Sequence, residues 1–150
     1  MTNFSHLRSL QVQQDTTVEF TFYRIGGEPT LSVRHAGQEN RDFFNAALKK
    51  SKQAARRLRG RQGAAPSHED IERARREDAA LFAKHIVTGW EDVLDADGEP
   101  VEFSEEVCLE FLLAIPSDMF TELRAFCLDI NNFREDDSMG DDELEELQGN

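Results

Sequence analysis

The chain has 150 residues, 39% hydrophobic and 31% charged, with a formal net charge of −13 at pH 7. That length suits one domain with a modest core. No run of about 18 apolar residues exists to span a membrane, and an acidic surplus this large works against binding the phosphates of nucleic acid. The charge is uneven: residues 1–66 carry 11 Lys/Arg against 5 Asp/Glu, and residues 67–150 carry 6 against 25. A part at +6 and a part at −19 make a two-faced molecule whose copies can attract head to tail, a possible self-association.

The N-terminus, MTNFSHLRSLQVQQD, lacks the basic-then-apolar order of a signal peptide. The two cysteines, Cys108 and Cys127, each lie inside an apolar run. Together these read as an intracellular protein with buried free thiols. In TTVEFTFYRI, Val18, Phe20 and Phe22 alternate with polar or amphipathic residues, and Leu31 and Val33 resume the period of two after GGEP. This predicts a β-hairpin over residues 17–25 and 30–35.

From Asn40 to Arg59, Phe43, Phe44, Ala47, Leu48, Ala54, Ala55 and Leu58 recur at three- and four-residue steps. A helix capped by Asn40 and stopped at Gly60 follows. Its basic run, Lys49–Arg61, reads as a solvated face or as a docking face for an acidic protein surface rather than a nucleic-acid site, because no aromatic residues interleave to stack on bases. After the break GRQGAAP, Ser67 and Asp70 approximate a capping box for a helix over 68–87. Its apolar face is Ile71, Ala74, Leu81, Phe82 and Ile86, and the charges of ERARREDA are expected to face water and pair at i,i+4.

DADGEPVEFSEE resembles a calcium loop at first sight. Aligning Gly98 with the loop glycine puts Val93 and Ser104 where the first ligand and the bidentate glutamate belong, so calcium is set aside. Asp97-Gly98 instead predicts a type I′ turn, with Val93 and Leu94 before it and Val101 and Phe103 after it. Trp90, the single tryptophan, is expected to anchor this loop.

Ser104 caps a helix over 105–115, which buries Val107, Cys108, Phe111, Leu112 and Ile115 and ends at Pro116. Ser117 is expected to cap the next, over 118–131, with Met119, Leu123, Phe126, Cys127 and Ile130 on one stripe. The Pro-Ser corner suggests that the two pack as a helical hairpin. Residues 134–150 are acidic and poor in apolar groups, which predicts a disordered tail whose Leu144 and Leu147 can form a helical turn on a partner.

The fold class is α+β, mostly α. A β-hairpin precedes a helical body of about four helices with a short Asp-Gly hairpin loop, in a single domain over 1–133. Sequences such as GxSxG, HExxH, CxxC or a phosphate-binding glycine loop are missing, and His6, His35, His68 and His85 lack ligand spacing. No catalytic residue, cofactor or metal site is expected. Glu105 and Glu106 read as solvated first-turn acids.

From Ile86 to Phe133 the elements occur in a fixed order: a helix running into VTGWEDV, then DADGEPVEFSEE, an apolar helix, IPSDMFTEL and a closing NNF. This third of the chain resembles the tail assembly chaperones of long-tailed phages, on Trp90, Asp95 to Gly98, Phe103 to Glu106, Pro116, Asn132 and Phe133. The resemblance implies a small helical protein of the host cytoplasm, absent from the mature virion. It would keep the tape measure protein soluble and help tail tube protein polymerise around it. Many such proteins also exist as a longer frameshifted form, and the acidic tail would sit at that junction. A holdase needs apolar grooves for amphipathic helices. Trp90, Phe103, Phe111, Leu112, Phe120, Leu123 and Phe133 are the candidates for contact with a partner. Two rivals stand beside this reading: a structural head–tail connector or tail-completion protein, and an acidic inhibitor that mimics DNA. Mimicry needs carboxylates on a rigid surface, whereas the densest acids here lie in the tail.

Overall fold

In a computed structural model of the chain, residues 3–60 and 65–134 are described. The expectation of disorder covers residues 134–150, of which 135–150 lie outside the described residues. The hairpin strands are β1 (Thr17–Thr21) and β2 (Thr30–Arg34). β1 is shorter than the hydrophobic alternation predicts. Phe22 still donates its N–H to the Pro29 carbonyl at 3.0 Å, but the chain then turns through Gly27 and Glu28 at φ +86° and +50°.

A six-residue helix, α1 (Phe4–Ser9), precedes β1 and starts at Asn3, whose side chain accepts from the His6 N–H. Four longer helices follow the hairpin: α2 (Arg41–Arg59), α3 (His68–His85), α4 (Glu105–Ala114) and α5 (Ser117–Leu128). A 3₁₀ turn over Ile130–Phe133 closes the described chain. The molecule is mostly helical with an antiparallel hairpin at its N-terminal side, as the sequence predicts.

One strand was not foreseen. The predicted helix over 68–87 stops at His85, and Val87–Glu91 is β3, antiparallel to β2 in a three-stranded sheet of order β1-β2-β3. Gly89 pairs with Ser32 and Val87 with Val33, so Thr88 is an extra residue that bulges the ladder. Its hydroxyl donates to the Ser32 carbonyl at 3.3 Å. β2 is the central strand, and its Leu31 and Val33 are fully buried.

The caps at Asn40, Ser67 and Ser104 form as predicted, including the reciprocal capping box of Ser67 and Asp70. Ser117 does not cap α5. Pro116 holds that position without a side-chain bond, and its carbonyl accepts from Met119 and Phe120. The α4–α5 hairpin is also corrected. Ile115 and Pro116 are both extended, with ψ of 152° and 147°, and this two-residue corner splays the helices. α4 packs along α3 instead.

The core is a chain of aromatic rings joining sheet and helices. Phe20 meets Phe22 and Phe126, Phe22 meets Phe111, and Phe82 meets Phe43 and Phe120, at centroid separations of 5.0 to 5.9 Å. Edge-to-face contacts of this kind add about 0.5–1.5 kcal/mol each beyond the burial itself. The two cysteines sit in the same core as free thiols.

Candidate functional site

Four of the seven candidate contact residues have no surface to offer. Leu112 and Leu123 are fully buried, and Phe120 and Phe133 are nearly so. They hold the core together. Trp90, Phe103 and Phe111 are half-buried and pack on one another, with centroids 5.1 Å apart for Trp90–Phe103 and 5.6 Å for Trp90–Phe111. Trp90 Nε1 donates to the Val101 carbonyl at 2.8 Å, which ties β3 to the far side of the Asp-Gly loop.

That loop is a hairpin of a different type from the one predicted. Gly98 has φ +79°, and Asp97 is not in the left-handed region, so a type I′ turn is ruled out. The Gly98 N–H donates to the Asp95 carbonyl at 3.0 Å, and the Asp95 N–H to the Glu99 carbonyl at 2.9 Å. This is a type I turn closed by a left-handed glycine. Asp95 Oδ1 also accepts from the N–H groups of Asp97 and Glu99, at 2.9 and 3.0 Å. Among the described residues no group of three or more His, Cys, Asp or Glu side chains converges.

The charged segment of α3 ties helices together. Arg75 reaches two carbonyls at the end of α4, donating to Ile115 at 2.8 Å and Leu113 at 3.3 Å. These are carbonyls that a helix end leaves without intrahelical partners. Asp78 pairs with Arg124 of α5, whose guanidinium also lies 5.2 Å from the Phe120 ring centre. Glu77 pairs with Arg57 of α2 at 3.4 Å. Within the helix, Arg73 pairs with Asp70 at 3.8 Å, and His68 Nε2 lies 3.1 Å from a Glu72 carboxylate oxygen at i,i+4.

The surface that stands out is the seam between α2 and α3. α2 is amphipathic, yet none of its residues is buried. Leu58 and Ile71 are 57% and 60% exposed, although both belong to the apolar faces read from the sequence. Two adjoining cavities run along this seam. The inner one, about 300 Å³, is lined by Phe43, Ala47, Lys50, Leu81, Arg124 and Leu128 among others. The outer one, about 340 Å³, includes Arg57, Leu58, Pro66, Ile71 and Arg73. Ala54, Ala74 and Glu77 line both, so the two form one trough with an apolar floor and a largely basic α2 rim. Alternating apolar residues marked both faces in the sequence. Their failure to close on each other could not be read there.

A second groove lies beside β1, which is an edge strand of the sheet. Phe20, Tyr23, Met119 and Phe126 line it, and Arg24 closes one side by pairing with Glu122 and, at 3.4 Å, with Asp118. No helix among the described residues is long and apolar enough to cross a membrane.

Neither the curated proteins nor the solved structures contain a match. A family profile described as YdaY prophage protein matches residues 38–143. That span holds α2, α3, β3, the Asp-Gly loop, α4 and α5, and it includes the whole of the seam. It covers more than half of the chain, which therefore belongs to the YdaY prophage protein family, a family of phage origin.

Proposed function

We propose that this phage protein is a tail assembly chaperone. It binds amphipathic helices of the tape measure protein, keeps them soluble in the host cytoplasm and presents them to tail tube subunits. The observation that carries the reading is the open α2–α3 seam, with Leu58 and Ile71 exposed on facing helices and Ala54 and Ala74 beneath. An amphipathic helix laid in such a groove buries its apolar stripe against the floor and leaves its polar face in water. The phage family and the resemblance of Ile86–Phe133 to tail assembly chaperones support the client named. The basic rim favours client helices with acidic flanks.

The test is co-expression with the long coiled-coil-rich protein encoded just downstream, followed by a pull-down and a solubility assay. The client is expected to be insoluble alone and soluble in complex. The double variant Leu58→Ser/Ile71→Ser should fold normally and lose the client. A client that neither binds nor gains solubility overturns the proposal. Stoichiometric presence of the chain in purified virions would make it a structural subunit instead.

A further inference from the structure

The seam and the acidic end of the chain are complementary. α2 carries seven Lys/Arg and one Asp in RDFFNAALKKSKQAARRLR. Residues 135–150 carry eight Asp/Glu and no Lys/Arg. Within them, Asp141–Leu147 reads DDELEEL, so Leu144 and Leu147 fall on one side of a helical turn and acids surround them. Two apolar groups ringed by carboxylates match an apolar floor with a basic rim.

The chain is also long enough. Leu128 lines the inner end of the trough, and the described residues end six positions later at Arg134. Arg134 is tied down there, donating from Nε to the Leu10 carbonyl at 3.0 Å and from Nη1 to Asn131 at 2.8 Å. Leu144 lies ten positions beyond Arg134, so the chain between them spans up to about 35 Å when extended. α2, at 19 residues, is about 28 Å long. The segment 141–147 therefore has the length to run along the seam.

We infer that residues 141–147 of the same chain seat in the α2–α3 seam when no client is bound, with Leu144 and Leu147 over the floor between Leu58 and Ile71. The carboxylates approach Lys50 and the other cations of α2. The acids that also border the trough do not prevent this, because Glu77, Asp78 and Asp70 lie against Arg57, Arg124 and Arg73, which leaves the remaining Lys/Arg of α2 as the surplus that draws the tail. The segment acts as a placeholder. It shields the apolar floor until a client helix, offering more apolar area, displaces it. This role rests on the seam being the client site, but the contact itself can be observed without a client.

The experiment uses the full chain with a nitroxide on Gln148→Cys. Cys108 and Cys127 are buried and stay unlabelled. Amide signals are compared with the nitroxide oxidised and reduced, at about 0.1 M salt, where attraction between charges about 10 Å apart survives. A selective loss of signal over 54–58 and 71–74 is expected, together with its recovery in Leu144→Ser/Leu147→Ser, which keeps every charge. No loss, or a loss spread evenly over the surface, overturns the inference. So does a loss that persists in the double serine variant, since charge alone would then explain it. A loss seen only between labelled and unlabelled molecules in a mixture also overturns it, because the occupant would be a second copy. Failure here leaves client binding to be judged by the pull-down, where the seam variants report separately.

Discussion

Asn40 does two jobs with one amide. Its Oδ1 accepts from the Phe43 N–H at 3.3 Å and caps α2, while its Nδ2 donates to the His85 carbonyl at 3.1 Å, at the end of α3. It is almost fully buried, so both bonds are shielded from water. Asn40→Ala should lower stability by about 1–3 kcal/mol, because a helix cap is lost and a buried carbonyl is left without its partner. Asn40→Asp keeps the cap but sets a buried carboxylate oxygen against the His85 carbonyl, so it should cost at least as much as the alanine. Urea unfolding of both variants checks this. The cap was legible from an Asn before an apolar-periodic run. The bond to His85, 45 positions away, was not. The thiols make a second prediction at this scale. Burial pushes both Cys108 and Cys127 up to about 12, so near pH 8 almost no thiolate exists. A thiol reagent should release no colour from the folded protein and two equivalents after denaturation, matching the two cysteines of the chain. Rapid reaction of the native protein would contradict the buried placement.

Among the elements, the α2–α3 pair differs from the rest. The sheet, α4 and α5 close on one another through the aromatic core, whereas α2 meets that core mainly at its first turn, where Phe43 lies against Phe82. Elements with few buried apolar contacts open at low free energy. Amide exchange in Ala54–Arg59 and Ile71–Ala74 should therefore be faster by orders of magnitude than in Leu31–Val33 or Leu109–Leu112. Equal protection would mean that the seam is closed in solution. Truncating exposed Leu58 and Ile71 to Ser should change stability by no more than about 0.5 kcal/mol each, as surface changes usually do. Truncating core Leu123, fully buried, to Ala should cost about 2–5 kcal/mol. Periodicity shows that α2 and α3 have apolar faces. It does not show how much of each face another element covers. β3 was hidden for a related reason. HIVTGWE continues the end of a helical pattern, and only pairing with β2 makes Val87–Glu91 a strand.

At the scale of the whole molecule, the charge asymmetry has a structural address. The basic excess of the first 66 residues is concentrated on α2, and the acidic excess on the Asp-Gly loop region, residues 91–102, and on residues 135–150, which carry six and eight Asp/Glu and no Lys/Arg. On the proposed client binding, the acidic end would be displaced and free to meet the basic face of the next copy. Such a contact is heterologous and can propagate along a helix. The co-expressed complex should sediment as a larger species at about 0.1 M salt than at about 1 M, because screening weakens attraction between exposed charges. A size independent of salt would argue against this contact.

The sequence by itself determined what depends on near neighbours in the chain: the hairpin, four helices and three of their caps, the Asp-Gly turn position, and cysteines in apolar surroundings. These follow from propensity, capping chemistry and hydrophobic period, which act over a few residues. Only the tertiary structure decided which apolar residues are core and which are open, that α4 packs on α3 and splays from α5, and that Arg75 reaches the end of another helix. Leu123 looks like Leu58 and Ile71 in the sequence, since each is one apolar residue on a periodic face. Leu123 is fully buried and the other two are exposed. Coverage is a property of how elements meet in space, so no local pattern encodes it.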